Sequence, residues 1–128
     1  MRALRATLVA AALALVFYAV GCGDDDKNPV NPGGGGTADH VIQIVGVLNA
    51  SSYSPSPDTV SVGETVAWHN ADNMAHTATS DVTGATGFGT GTIAAGATSA
   101  PVAMNNLGSF GYHCAIHPTT MTGILVVK

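Results

Sequence analysis

The chain has 128 residues, a formal net charge of −4 and only 9% charged residues. Four Lys and Arg residues are too few for the dense basic surface that binds nucleic acid, so we do not expect nucleic acid as a partner. With few charges of either sign, docking to another protein would depend on apolar surface more than on long-range electrostatic attraction.

The first 21 residues have the layout of a secretory signal peptide. A basic beginning is followed by an apolar run over 6–20, which is shorter than a comfortable membrane span. The next residues, Ala19-Val20-Gly21-Cys22, resemble the lipobox of bacterial lipoproteins, in which the cysteine is diacylated, although Leu is usual where Ala19 stands. We therefore expect a lipoprotein-type signal peptide over 1–21 and lipid attachment at Cys22. An ordinary cleaved signal and an uncleaved anchor are the alternatives.

Residues 22–37 differ in composition from the segments on either side. They include three consecutive Asp, two Pro and four consecutive Gly residues, and they show no apolar periodicity. Such a segment cannot bury enough apolar surface to offset the entropy cost of ordering, so we predict a flexible tether. The sequence thus predicts one folded domain over 38–128, held near a membrane and free to pivot.

The domain over 38–128 reads as short strands separated by turn residues. β-Branched and aromatic residues predict strands over 41–48, 58–62, 65–70, 76–80, 97–104, 109–114 and 122–128. The segment 84–96 is rich in glycine and is expected to be a turn-rich connection with a brief strand over 91–94. Seven or eight short strands with little helix signal predict an all-β fold, either a sandwich or a small barrel.

Three side chains that bind metals lie close together between the last two predicted strands. Cys114, His117 and Met121 supply a thiol, an imidazole and a thioether within eight residues. Copper is the best chemical match, because thiolate and thioether suit Cu(I) while imidazole suits both oxidation states. A trigonal copper site of two His and one Cys with a weak axial Met needs a second imidazole. The chain offers His40, His69, His76 and His113 for that position.

The cysteine count supports a ligand role for Cys114. If Cys22 carries lipid, Cys114 has no partner for a disulfide within the chain. A lone thiol in an oxidising compartment is a liability unless something holds it. A buried inert Cys would be the simpler interpretation of a single residue, but the spacing to His117 and Met121 favours a ligand.

Strand alternation separates the candidate histidines. In 109–114 it places Tyr112 and Cys114 towards the core and His113 on the opposite face. In 65–70 the core position of Trp68 turns His69 towards solvent. His40 lies beside the tether with no companion ligand and is interpreted as a surface residue, so His76 remains as the candidate.

Several segments, in order along the chain, resemble a cupredoxin of the plastocyanin and amicyanin type. They are Val62-Gly63-Glu64-Thr65-Val66, Trp68-x-Asn70, His76-Thr77-x-Thr79 and Tyr112-x-Cys114-x-x-His117-Pro118, followed by Met121 and Gly123. The resemblance spans nearly all of 40–128, and its most specific part is the C-terminal motif. It implies a Greek-key β-sandwich that holds one type 1 copper ion with His76, Cys114, His117 and Met121 as ligands.

The chain departs from that family pattern at two places. Three residues separate His117 from Met121, whereas plastocyanins typically have four and amicyanins two. Ala75 stands where a Pro often precedes the first ligand His. Because the length of the ligand loop bears on axial geometry, the role of Met121 depends most on how that loop folds.

Together these features predict a type 1 copper electron-transfer protein. We expect a monomer, lipid-anchored to a bacterial membrane in the periplasm or at the cell surface. It would shuttle single electrons between redox proteins such as c-type cytochromes or copper enzymes. An enzyme is not expected, because the domain has no separate carboxylate and nucleophile constellation.

Three alternative interpretations of these residues are a copper carrier, a zinc site and a structural module without a metal. A copper carrier or storage protein with the same ligand set is the alternative function, although such proteins favour open or Met-rich and His-rich sites. Zinc would accept the Cys and His ligands but not the Met. A structural sandwich without a metal would leave the spacing of the thiol, imidazole and thioether as a coincidence.

Overall fold

In the computed structural model, residues 37–128 are described, and they form eight β-strands. The strands are β1 (His40–Ile44), β2 (Tyr53–Ser54), β3 (Asp58–Val60), β4 (Thr65–Asn70), β5 (Thr79–Ser80), β6 (Val102–Ala103), β7 (Gly108–His113) and β8 (Thr122–Val127). Residues 37–128 contain no helix that is long and apolar enough to cross a membrane. The predicted signal peptide, the Cys22 lipid site and nearly all of the predicted tether lie outside the described residues.

The strands form two four-stranded sheets with mixed pairing. The first sheet has the order β2-β1-β4-β6 and the second the order β3-β8-β7-β5. The pairs β1–β4 and β3–β8 are parallel, and the other pairs are antiparallel. Successive strands from β2 to β7 alternate between the two sheets, so the predicted all-β Greek-key sandwich is confirmed.

The core lies between the sheets and centres on aromatic residues. Tyr112 contacts Tyr53 and Trp68 edge to face, with ring centroids 4.7 and 5.8 Å away. Gly123 pairs directly with Tyr112 across β7 and β8, and any Cβ at Gly123 would overlap the Tyr112 ring. This close approach explains why a glycine is needed at this point of the C-terminal motif.

Most predicted strands are shorter than their sequence pattern indicated, and the one predicted over 58–62 ends at Val60. The strand predicted over 41–48 ends at Ile44, because Gly46 adopts a φ of +130° that breaks the extended backbone. The strand predicted over 97–104 pairs regularly only at Val102–Ala103, because Pro101 has no N–H for the ladder. Isolated bonds continue the pairing upstream, where the Ser99 amide donates to the Trp68 carbonyl.

The strand predicted over 76–80 is regular only at Thr79–Ser80. His76 pairs with Ile93 in an isolated bridge, at the place where the brief strand over 91–94 was expected. The short strand β2 was not predicted, because two residues between Ser and Pro carry no alternating pattern.

Strand direction places the chemistry at one end of the sandwich. β4 ends at Asn70 and β7 ends at His113, and both lead directly into the segments that carry the predicted metal ligands. β1 runs parallel to β4, with His40 opposite Val66 and Ile44 opposite Asn70. The chain therefore enters the domain at His40, at the end opposite the predicted site. We call the end with His40 the entry end.

Candidate metal centre

Three of the predicted ligands meet in space. One ligand atom from each of His76, Cys114 and His117 lies within 4.8 Å of the others. The Cys114 Sγ is 3.8 Å from the Nδ1 atoms of both His76 and His117. His76 and Cys114 are fully buried, whereas His117 is half-buried at the surface.

The backbone of His76 is fixed by a two-bond bridge. Its N–H donates to the Ile93 carbonyl over 3.1 Å, and its carbonyl accepts from the Ile93 N–H over 2.8 Å. The buried Asn70 side chain donates to the carbonyls of Ile93 and Met74 over 3.0 and 2.7 Å. These bonds hold the loop between β4 and His76 closed over the core.

The loop after β7 is a compact turn closed on itself. The Cys114 carbonyl accepts from the His117 N–H over 3.0 Å, and the His117 carbonyl accepts from the N–H groups of Thr120 and Met121. The Cys114 N–H donates to the Met121 carbonyl over 3.1 Å, which brings the two ends of the loop together. Cys114 and His117 thus belong to one hydrogen-bonded unit.

Met121 is fully buried and belongs to the same apolar cluster as Cys114. Its backbone lies beside Asn49 in an isolated parallel bridge. The three-residue spacer therefore returns Met121 to the core rather than to solvent. Its thioether as an axial ligand stays a prediction.

The surroundings of Cys114 favour the thiolate. Burial by itself would raise the pKa of the thiol, but the hydrogen bond from the Thr77 amide, the two neighbouring imidazoles and the Ile116 amide together outweigh it. The pKa of Cys114 is lowered from 9.0 to about 6 as a result. The thiolate is the form of cysteine that binds metals, so the site is prepared for a cation.

Thr77 links the first histidine to the thiolate loop. Its backbone N–H lies 3.4 Å from the Cys114 Sγ, and its Oγ1 accepts from the Ala115 N–H over 2.8 Å. Its carbonyl accepts from the Tyr53 hydroxyl over 2.6 Å. Burial, with the negative charge of Cys114 second, raises the pKa of Tyr53 far above its usual range, so Tyr53 remains a donor.

A carboxylate holds the other nitrogen of His76. The Nε2–H of His76 donates to Asp72 Oδ2 over 2.7 Å. The hydrogen bond from His76 and a second one from the Asn73 amide lower the pKa of Asp72 below its usual range. Neither Asp72 nor Thr77 was identified as a site residue from the sequence, and the one signal for Asp72 was an acidic residue four positions before His76.

The other three histidines bond elsewhere and are not part of the cluster. His40 pairs with Glu64 at 3.2 Å, and His113 pairs with Asp81 at 2.6 Å. His69 is half-buried rather than turned freely to solvent, because its Nδ1 bonds the Thr98 hydroxyl at 2.9 Å. Strand alternation predicted the separation of His69 and His113 from Cys114.

The loops near the cluster expose apolar side chains. Leu48, Met74 and Ile116 are 55%, 45% and 49% exposed, respectively. Ala115 and Pro118 flank His117 on the ligand loop and are also exposed. Along the ligand loop, the half-buried His117 is therefore flanked by exposed apolar residues.

The donor set and its spacing fit one copper ion. A sulfur and an imidazole nitrogen that bind one metal ion at the lengths known for zinc, about 2.3 and 2.0 Å, lie roughly 3.7 Å apart at a wide angle. The two observed sulfur–nitrogen separations of 3.8 Å match that value. One thiolate and two imidazoles with a buried thioether nearby are the ligands of a type 1 copper site.

Solved structures similar to this domain include copper proteins. A mutant of amicyanin in the Cu(I) form is 26% identical over 69% of this chain and 80% of that one, with a TM-score of 0.57. A purple cupredoxin from Nitrosopumilus maritimus is 25% identical over 70% of this chain and all of that one, with a TM-score of 0.57.

A larger copper protein contains a similar domain. The copper-containing nitrite reductase from Thermus scotoductus is 28% identical over 69% of this chain, with a TM-score of 0.58, but the chain spans only 22% of that protein. No family model and no curated protein matches the chain. The resemblance to cupredoxins that the sequence indicated is confirmed by the solved structures.

Proposed function

We propose that this domain, which has the cupredoxin fold and residues that fit one type 1 copper ion, transfers single electrons between redox proteins outside the cytoplasm. The observation that carries the proposal is the convergence of His76, Cys114 and His117 within 4.8 Å at one end of the sandwich. Bound copper would supply a one-electron couple between Cu(I) and Cu(II). Met121 would be the fourth residue to hold the ion.

The protein's own contribution is rigidity. His76 is held by its bridge to Ile93, and Cys114 is held by Thr77 and by the closed ligand loop. Fixed ligands reduce the rearrangement that accompanies a change of oxidation state, which favours fast electron transfer. Full burial of His76, Cys114 and Met121 also keeps water away from these three side chains.

His117 is the proposed point of electron entry and exit. It is half-buried, whereas His76 and Cys114 are fully buried. The exposed apolar residues around it favour small, transient interfaces with redox partners such as c-type cytochromes or copper enzymes. Burial of the other ligands also supports electron transfer over copper carriage, because a carrier must release its ion to a receiving site.

A lipid at Cys22 would hold the domain at a bacterial membrane, in the periplasm or at the cell surface. This part of the proposal depends on the layout of 1–22 in the sequence. The observation that fits it is that the chain enters the domain at His40, opposite the metal centre. The anchor would leave the exposed edge of His117 free for partners.

Loading the purified chain with Cu(II) tests the assignment. We expect an intense thiolate-to-copper absorption band in the red part of the spectrum, together with the electron paramagnetic resonance signal of a thiolate-bound Cu(II). Cys114→Ser should abolish the band, and His76→Ala and His117→Ala should abolish or shift it. His40→Ala is the matched control, since this histidine pairs with Glu64 at the entry end.

Two outcomes would contradict type 1 copper. One is a copper-loaded chain without the band, and the other is a band that survives in Cys114→Ser. Reversible redox cycling with retained copper is expected of a shuttle. Rapid transfer of copper to a chelator on reduction would instead favour the carrier.

A further inference from the structure

The imidazole of His76 lies between a thiol and a carboxylate, each of which is close to one of its two ring nitrogens. Its Nδ1 lies 3.8 Å from the Cys114 Sγ, and its Nε2 lies 2.7 Å from Asp72 Oδ2. A carboxylate only accepts hydrogen bonds, so a neutral His76 imidazole carries its proton on Nε2. The lone pair of Nδ1 then points to the cluster and is available to a metal.

The carboxylate of Asp72 is itself held in place. The Asp72 N–H donates to the Asn70 Oδ1 over 3.1 Å, and the Asn73 N–H donates to Asp72 Oδ1 over 2.7 Å. The Asp72 side chain is only 19% exposed. A Cβ added at Gly46 would lie 3.8 Å from Asp72 Oδ2, so the Gly46 backbone is close to the carboxylate. The hydrogen bond to His76 is therefore shielded from solvent and fixed in direction.

From this geometry we infer that Asp72 is a positioning residue that sets the reduction potential of the metal centre. The inference rests on the proposed copper function and adds the group that tunes it. A carboxylate that accepts from a ligand imidazole orients the ring and makes it a stronger electron donor. Its negative charge also stabilises Cu(II) more than Cu(I), because the attraction grows with the charge of the ion. Asp72 would thus lower the potential.

Replacing Asp72 with asparagine, a neutral residue of nearly the same shape, tests the effect of the charge alone. Asp72→Asn keeps an oxygen that accepts from His76 Nε2–H, but it removes the charge. Against a redox mediator at fixed poise, the ratio of Cu(I) to Cu(II) should rise by about tenfold, which is about 59 mV for a one-electron couple. Affinity for Cu(II) should fall by about 10-fold to 100-fold.

The chain offers a matched control. Asp81 makes the same kind of carboxylate–imidazole pair with His113 at 2.6 Å, but His113 is outside the ligand cluster. Asp81→Asn removes the same charge from a nearby position. It should change the Cu(I) to Cu(II) ratio by much less than Asp72→Asn, because no ligand imidazole loses its partner.

A readout without metal tests the hydrogen bond itself. In the metal-free chain, nitrogen chemical shifts of the His76 ring should show a protonated Nε2 and an unprotonated Nδ1, with slow exchange of the Nε2 proton. Asp72→Ala should remove this protection and mix the two tautomers. If the role of Asp72 were purely structural, Asp72→Asn would change the free energy of unfolding. Its reduction potential would stay close to that of Asp81→Asn.

The failures of the two proposals are distinguishable. A chain that binds copper with the thiolate band, but in which Asp72→Asn and Asp81→Asn shift the ratio equally, would overturn this inference alone. A His76 ring protonated on Nδ1 in the metal-free chain would do the same. A wild-type chain that forms no thiolate-copper band would overturn the proposed function and this inference with it.

Discussion

Cys114 shows how neighbouring groups change the chemistry of a single residue. Considered alone in the sequence, Cys114 would be interpreted as a buried thiol, and such thiols are inert in most proteins. In the fold, the Thr77 amide and two imidazoles surround the sulfur and lower the pKa to about 6. A residue that would be neutral in the unfolded chain at pH 7 is therefore mainly a thiolate in the folded one.

The lowered pKa predicts a pH dependence in the metal-free protein. In a Cys22→Ser chain, Cys114 is the sole thiol, and its thiolate absorbance should titrate near pH 6 rather than 9.0. Because the folded pKa is below the unfolded one, the stabilisation is fully present above pH 9 and is lost as the pH falls to 6. The difference in unfolding free energy from the matching Cys114→Ser chain should thus grow between pH 6 and 9. A pH-independent difference would contradict this prediction.

At the residue scale, spacing along the chain identified some site residues and could not identify others. Cys114 and His117 are three residues apart, so their spacing in the sequence nearly fixes their proximity, whereas the position of Met121 depended on how the loop folds. His76 was found through strand alternation and family resemblance. Asp72 and Thr77 act through hydrogen bonds that exist only when two distant segments meet, and no periodicity reports such bonds.

The ligand loop is anchored by a second loop that the sequence did not connect to the site. The Asn49 N–H donates to the Thr120 carbonyl over 2.8 Å, and the Thr122 N–H donates to the Asn49 carbonyl over 3.2 Å. These two bonds straddle Met121. They explain how a three-residue spacer still returns Met121 to the core, which sequence length alone left open.

Asn49 adopts a φ of 56°, which predicts that the free energy of unfolding depends strongly on the side chain at this position. Asn49→Val should lower the free energy of unfolding by about 1–3 kcal/mol, because a β-branched residue is strained in this conformation. Asn49→Gly should cost less than about 1 kcal/mol, because glycine adopts it readily. Urea unfolding measures both. Equal effects of the two substitutions would show that the conformation of Asn49 is not what anchors the loop.

At the element scale, regular strands were predictable and short ones were not. β4 has the predicted bounds, and β7, which alternates buried and less buried positions from Phe110 to His113, is shifted by one residue. The segments around His76 and Ile93 pair through single bridges, which leave no repeating pattern. The site depends on those irregular segments, so the sequence predicted the sandwich better than the environment of the ligands.

On the scale of the whole molecule, the two ends of the sandwich have different roles. The metal centre follows the ends of β4 and β7, whereas His40 begins β1 at the entry end. Along β1, five residues separate the ends by about 13 Å at about 3.3 Å per residue. The end of the domain at which β1 begins is therefore not the end that carries His117.

This separation predicts that anchoring and copper chemistry can be removed independently. Cys22→Ser should release the protein from the membrane fraction while its copper band and reduction potential stay unchanged, because lipid attachment at Cys22 is the proposed anchor. Cys114→Ser is the reciprocal control, which should lose the band and remain with the membrane. Membrane fractionation and visible spectroscopy of both variants measure the two properties. A Cys22→Ser protein that still fractionates with membranes through a lipid would refute the anchor and leave the copper site untouched.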